Sequence, residues 1–149
     1  MRLFRITSSR YASDLTGTGG LYGPGRWHQE GTRIVYTAEH VSLAQLEILA
    51  NTPKLPRNRS LVTLEIPDNA SVLSIRADTL PPGWQAILYP GELAEIGQEW
   101  IKASQFWVMR VPSAHSPTEF NYLLNPLHPE HSTVRIISTE PHPFDSRLK

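Results

Sequence analysis

Arg33-Ile-Val-Tyr-Thr37 and, after a gap of four residues, Ser42-Leu-Ala-Gln-Leu-Glu-Ile-Leu-Ala-Asn51 hold the two kinds of pattern from which this chain is built. The first is β-branched and aromatic and reads as a strand. The second is a helix. Ser42 followed by Gln45 fits a capping box, and Asn51-Thr52-Pro53 stops it. Its apolar residues run almost all round the wheel, which predicts a largely buried helix. Working outward, strands are expected at 2–6, 61–66, 72–75, 106–111, 119–124 and 134–137. A second helix is expected at 92–104, with Leu93, Ile96 and Trp100 on one face. Leu80-Pro-Pro-Gly-Trp84 reads as a turn, and Phe144 and Leu148 can pack the tail. Strands outnumber helices and do not alternate with them regularly. That pattern is α+β, not a doubly wound parallel sheet. There is no internal repeat or linker, so residues 1–149 read as a single domain.

The composition narrows the function classes. Of 149 residues, 40 % are hydrophobic and 19 % charged, as expected of a folding chain with one core. Lys plus Arg and Asp plus Glu both number 14, so there is no overall electrostatic footprint for nucleic acid. Only Lys54, Arg57 and Arg59 form a local basic group. There are no cysteines, which excludes disulfides, thiolate nucleophiles and Cys-type zinc sites. The start, Met1-Arg-Leu-Phe-Arg-Ile-Thr7, lacks the apolar core of a signal peptide. No apolar run approaches the ~20 residues that cross a bilayer. A soluble, cytoplasmic protein with no membrane contact is expected.

Five polar residues stand in apolar or glycine-rich settings, where they are costly unless paired or used. Arg26 follows Gly23-Pro24-Gly25 in a long loop at 13–32, rich in glycine and expected to lack regular structure. It reads as a phosphate clamp or as a surface arginine. Tyr36, mid-strand, is a core tyrosine or a stacking face for a flat heterocycle. Glu47 falls between Leu43 and Ala44 on the helical wheel. It is a carboxylate paired to an arginine such as Arg26, or one that stabilises a cationic transition state. Ser113 follows a strand and Pro112, outside any Gly-x-Ser-x-Gly elbow, and reads as a turn serine or a site residue. Asn121 and Asn125 satisfy loop backbone or line a site. His128, His131 and His142 cluster late in the chain, without a recognised metal spacing. No metal is expected.

The ordered set Arg10-Tyr-Ala12, Gly25-Arg-Trp27, Val35-Tyr-Thr37, Leu46-Glu-Ile-Leu49, Gly97-x-x-Trp100, Val111-Pro-Ser113, Asn121-Tyr-Leu-Leu-Asn-Pro126 with His128-Pro129, and Phe144-Asp-x-Arg-Leu148 resembles the RES-domain family over nearly the whole length. The family loop commonly reads Gly-Gly-Arg-Trp-Asn. Here Pro24 replaces the first glycine and His28 the asparagine.

The resemblance implies a fold like that of ADP-ribosyltransferases, with a mixed β-sheet core and a few helices. It implies the toxin of a type II toxin–antitoxin pair, with an Xre-like antitoxin as partner and NAD as substrate. The reaction implied is hydrolysis or phosphorolysis of the nicotinamide–ribose bond. ADP-ribosylation of a protein, or a non-enzymatic binding module, is the alternative. By position, Arg26 and Trp27 would bind NAD, Tyr36 would stack on nicotinamide, and Glu47 would steady the developing cation. Ser113 and Asn121 would line the pocket and orient the substrate. Arg26, Tyr36, Glu47 and Ser113 are thereby the expected catalytic set.

Overall fold

Seven strands form one sheet in the computed structural model, which describes residues 1–149. In chain order they are β1 (Arg2–Ser8), β2 (Val35–Ala38), β3 (Arg59–Glu65), β4 (Val72–Ser74), β5 (Val108–Pro112), β6 (Phe120–Leu124) and β7 (Arg135–Pro141). The spatial order is β4-β5-β6-β2-β1-β3-β7. Only β4 and β5 run parallel; every other pairing is antiparallel. Two helices complete the α+β fold: α1 (Val41–Ala50) and α2 (Glu92–Ala103).

Strand alternation sorts the core onto two faces. Leu3, Val35, Val62, Leu64, Val108, Tyr122 and Leu124 fill one, joined by Trp107 just ahead of β5. Met109, Val111 and Leu123 point the other way, against Trp27, Ile34, Trp84 and the Leu93 and Trp100 side chains of α2. β3 is buried along five successive residues because β1 and β7 flank it. β7 is exposed throughout and carries Arg135, Glu140 and Pro141, residue types suited to an uncovered edge. α2 places Glu92 and Glu95 in its first turn and Lys102 in its last, in line with its dipole. Gly97 is obligatory there, since a Cβ would stand 1.7 Å from the Trp27 carbonyl oxygen.

β1 meets β2 at one register position, Phe4 opposite Ala38, whereas it pairs with β3 from Arg2 to Ser8. The sheet is therefore open between the C-terminal half of β1 and the start of β2. α1 lies over this junction. Leu43 and Ala44 pack with Ala38, Phe4 and Ile6.

Several expectations need correcting. α1 is not largely buried: only Leu43 and Ala44 are, and Leu46 is 40 % exposed. A ten-residue helix crossing one junction has a single face to bury. Ser42 does not cap it; His40 is the N-cap, without a side-chain bond. The 13–32 loop is not structureless. It holds a 3-10 turn at Thr18–Leu21 and a Gly25–His28 bridge, and Gln98 of α2 accepts from Thr32 Oγ1 at 2.9 Å. Leu148 is 44 % exposed and does not anchor the tail.

Candidate active site

The open sheet junction widens into a cleft of about 980 Å³, at the upper end of the range for small-molecule and cofactor sites. Phe4–Thr7 of β1 and residues 34–38 flank it. Glu47 and Ile48 of α1, His115, Asn121, Arg26 and Tyr89 also line it.

The register brings its polar groups together. Tyr36 lies opposite Leu123, and two residues on, Ala38 lies opposite Asn121. Tyr36 and Asn121 thus share one face of the sheet, two positions apart. Glu47 descends onto that face from α1. Its Oε1 accepts from Ser113 Oγ and from Asn121 Nδ2, both at 2.7 Å. Its Oε2 has His115 Nε2 at 3.4 Å. A carboxylate accepts only, so the serine proton and the asparagine amide are committed to it. Ser113 Oγ in turn accepts from the backbone N–H groups of His115 and Ser116, at 3.1 and 3.2 Å. Ser113 is fully buried. It orients Glu47 from behind and presents no surface to the cleft.

Arg26 is not the partner of Glu47. Its Nη1 donates to the carbonyls of Trp84 at 2.6 Å and Ala86 at 3.2 Å. Its guanidinium lies over the Tyr89 ring, 4.4 Å from the centroid. Both bonds use Nη1, which leaves Nε and Nη2 for a ligand. Burial lowers the guanidinium's pKa, and Tyr89, Glu47 and Tyr36 oppose that shift. Trp27, next to it, is 3 % exposed and sits in the apolar cluster under α2 while also bordering the cleft.

Tyr36 is 37 % exposed, yet its hydroxyl is 2.7 Å from His28 Nδ1. Burial pushes that hydroxyl's pKa far up, well beyond the physiological range. Gly25 closes this corner, because a Cβ there would stand 2.6 Å from His28 Cε1 and 2.9 Å from the Tyr36 oxygen. His28 also lies 2.9 Å from the Gly23 carbonyl, and burial lowers its pKa.

Three further residues belong to the site without having been singled out as site groups in the sequence. His115 stands two positions after Ser113, a spacing that places it on the same turn. Tyr89 follows the exposed pair Ile87 and Leu88. Arg5 lines the cleft from β1, donates to the Asp14 carbonyl at 3.0 Å and is desolvated enough to lower its pKa. The late histidines do not assemble. His131 bridges Trp107 and Leu15, His142 meets Gln45, and His128 accepts from the Glu130 amide. Elsewhere, Glu39, His40 and Glu119 bring one potential ligand atom each within 4.8 Å of one another. No helix is long and apolar enough to cross a membrane.

The cleft thus gathers a cation, a held carboxylate and an aromatic face, and comparison with known proteins identifies the family to which the chain belongs. A model of the RES domain matches residues 2–145. Toxin Res of Photorhabdus laumondii is 40 % identical, over 99 % of this chain and 97 % of its own. Toxin Res of Pseudomonas putida is 39 % identical, over 99 % of both. The Prs ADP-ribosylating toxin of a Sphingobium species is 35 % identical, over 92 % of this chain and 88 % of its own. Among solved structures, the Mycobacterium tuberculosis MbcT–MbcA toxin–antitoxin complex contains a chain that superposes with a TM-score of 0.76, covering 95 % of this chain and 84 % of that one. At 13 % identity that likeness concerns the fold. A family match across nearly the whole sequence, with full-length relatives that are Res toxins, shows that this chain belongs to the RES-domain family of toxins.

Proposed function

We propose that this chain is a toxin that degrades NAD by cleaving the bond between nicotinamide and ribose. The observation that carries the reading is the Glu47 carboxylate. One oxygen is fixed by Ser113 and Asn121, the other stands 3.4 Å from His115 Nε2, and Glu47 lines a cleft shared with Tyr36 and Arg26. In the reaction the C1′–N bond breaks, and its electron pair leaves with the ring. The pyridinium becomes neutral nicotinamide, so no general acid is needed. Positive charge develops on the ribose, where a preorganised carboxylate stabilises it. An oxygen of water or phosphate then bonds to C1′, and the incoming water or hydrogen phosphate gives up a proton.

The other residues hold the dinucleotide in that geometry. Arg26 offers Nε and Nη2 to the diphosphate, and Arg5 adds a second cation to the lining of the cleft. The Tyr36 ring supplies a stacking face for nicotinamide. Ser113 and Asn121 act through Glu47. Trp27 contributes by packing the loop that carries Arg26.

A second reading has its own support. One relative is named as an ADP-ribosylating toxin, so the ADP-ribose acceptor can be a protein. In either case an antitoxin partner is expected, of the Xre-like kind. A relative in fold was solved as a toxin–antitoxin complex. The deciding experiment incubates the purified protein with NAD, with and without phosphate, and identifies the products by mass. Nicotinamide with ADP-ribose marks a glycohydrolase. A phosphorylated ADP-ribose that appears only with phosphate marks a phosphorylase. Intact NAD, with label transferred only when a protein target is added, replaces the first reading by the second.

A further inference from the structure

His28 is 5 % exposed and makes two hydrogen bonds, one from each ring nitrogen. Nε2 lies 2.9 Å from the Gly23 carbonyl oxygen. That oxygen only accepts, so Nε2 carries a proton. With Nε2 protonated, the neutral ring has a bare lone pair on Nδ1, 2.7 Å from the Tyr36 hydroxyl. The hydroxyl has one proton, and it must point at Nδ1. The opposite tautomer would set the Nε2 lone pair against the carbonyl lone pairs. The imidazolium is disfavoured by burial, and no carboxylate pairs with His28.

We propose that His28 is a positioning residue for substrate recognition: its Nε2–H is fastened to Gly23 and its Nδ1 accepts the Tyr36 hydroxyl hydrogen bond, so Tyr36 has no donor to offer the substrate. This rests on the reading of the cleft as a dinucleotide site. The chemistry suits that ligand. A phenol oxygen whose proton is turned away favours a cationic ring or an N–H donor beside it and disfavours an anion. The same two bonds join the Gly23–Arg26 turn to β2, so the clamp and the stacking face keep a fixed separation. Gly25, pressed between the two rings, leaves that assembly no slack.

The test has an arm that needs no activity. In protein with ¹⁵N-labelled histidine, long-range ¹H–¹⁵N correlation reads the tautomer of each ring, and loss of one set of signals in His28→Gln assigns His28. The expected result is a protonated Nε2, a bare Nδ1, and a shift of the Nδ1 resonance in Tyr36→Phe. A protonated Nδ1, or a resonance unmoved by Tyr36→Phe, overturns the proposal.

The second arm measures NAD loss. His28→Leu should lower kcat/KM by about ten- to a hundredfold, the scale of small misplacements in a site. His28→Gln, which keeps a donor and an acceptor, should recover part of the loss. In the Tyr36→Phe background, His28→Leu should cost less than it does alone, because the bond to the hydroxyl is already gone and only the one to Gly23 is left to lose. Losses that multiply in the double variant overturn the proposal even if His28→Gln alone behaves as expected. If the wild-type protein consumes no NAD, the proposed reaction fails, and the tautomer arm still decides the role of His28.

Discussion

Ser113 Oγ and Glu47 Oε1 lie 2.7 Å apart, and the serine is fully buried while the glutamate side chain is 26 % exposed. On the proposed reading the pair divides the work: the buried serine holds the carboxylate, and the carboxylate faces the ligand. Glu47→Gln can keep both Oε1 bonds through its amide oxygen and lose only the charge. We expect turnover to fall at least about a hundredfold, the scale of a lost electrostatic stabiliser, with the melting temperature nearly unchanged. Near wild-type NAD loss in this variant would remove Glu47 from the chemistry.

Ser113→Ala should behave differently. It removes the acceptor for two backbone N–H groups in a buried turn as well as the donor to Glu47. A cost of about 1–3 kcal/mol is expected, together with a reduced kcat. Urea titration and kinetics on the same preparation separate the two effects. Unchanged stability would mean that the turn does not depend on the hydroxyl.

Asn121→Asp places a second carboxylate against Glu47 Oε1, where the amide nitrogen stood at 2.7 Å. Two like charges at that distance cannot both remain ionised at little cost. The variant should lose activity at neutral pH and melt lower there. Both losses should lessen as the pH falls and the pair takes up a proton. Asn121→Ala should show no such recovery.

Arg26 ties down its own wall and, on the proposed reading, also clamps the ligand. Arg26→Lys retains a charge but not the planar fork that reaches Trp84 and Ala86. KM for NAD should rise, and the loop bearing Ile87 and Leu88, each 93 % exposed, should become more sensitive to protease. An unchanged dependence on NAD concentration would contradict the clamp.

Stability should fall on mild acidification. Burial lowers the pKa of His28 and His131 from the usual 6.5, so between the folded and unfolded values the unfolded chain binds more protons. Their contribution is complete above pH 6.5 and is lost as the pH drops through the folded values. Asp14, held down to about 2 by Thr16 and Thr18, acts later, with its share lost between 3.8 and about 2. Thermal melts from pH 8 to 5 should therefore decline in wild type. The decline should be smaller in His28→Gln, which removes one of the two groups.

The order and type of the elements were legible in the sequence because β-branched runs and the face of α2 are local signals. Strand ends moved by a few residues, because pairing partners set them: β7 extends to Pro141 because β3 is there to pair with it. α1 misled for a physical reason. Its wheel is apolar all round, but it lies over an opening in the sheet and has only one side to cover. At the site, residues in unusual settings were readable. Their partners were not, since Glu47 meets Ser113 and Asn121 across 66 and 74 residues of chain. His115 and Arg5 carried no local anomaly, and only the tertiary arrangement brings them to the cleft.

The single Phe4–Ala38 pairing makes the sheet two leaves of a book. One is β4-β5-β6-β2 and the other β1-β3-β7, with α1 as the binding across the spine. Glu47 rides on the spine, Tyr36 and Asn121 on one leaf, and Arg5 on the other. On the proposed reading, a change in the angle between the leaves reaches ligand grip and bond cleavage together.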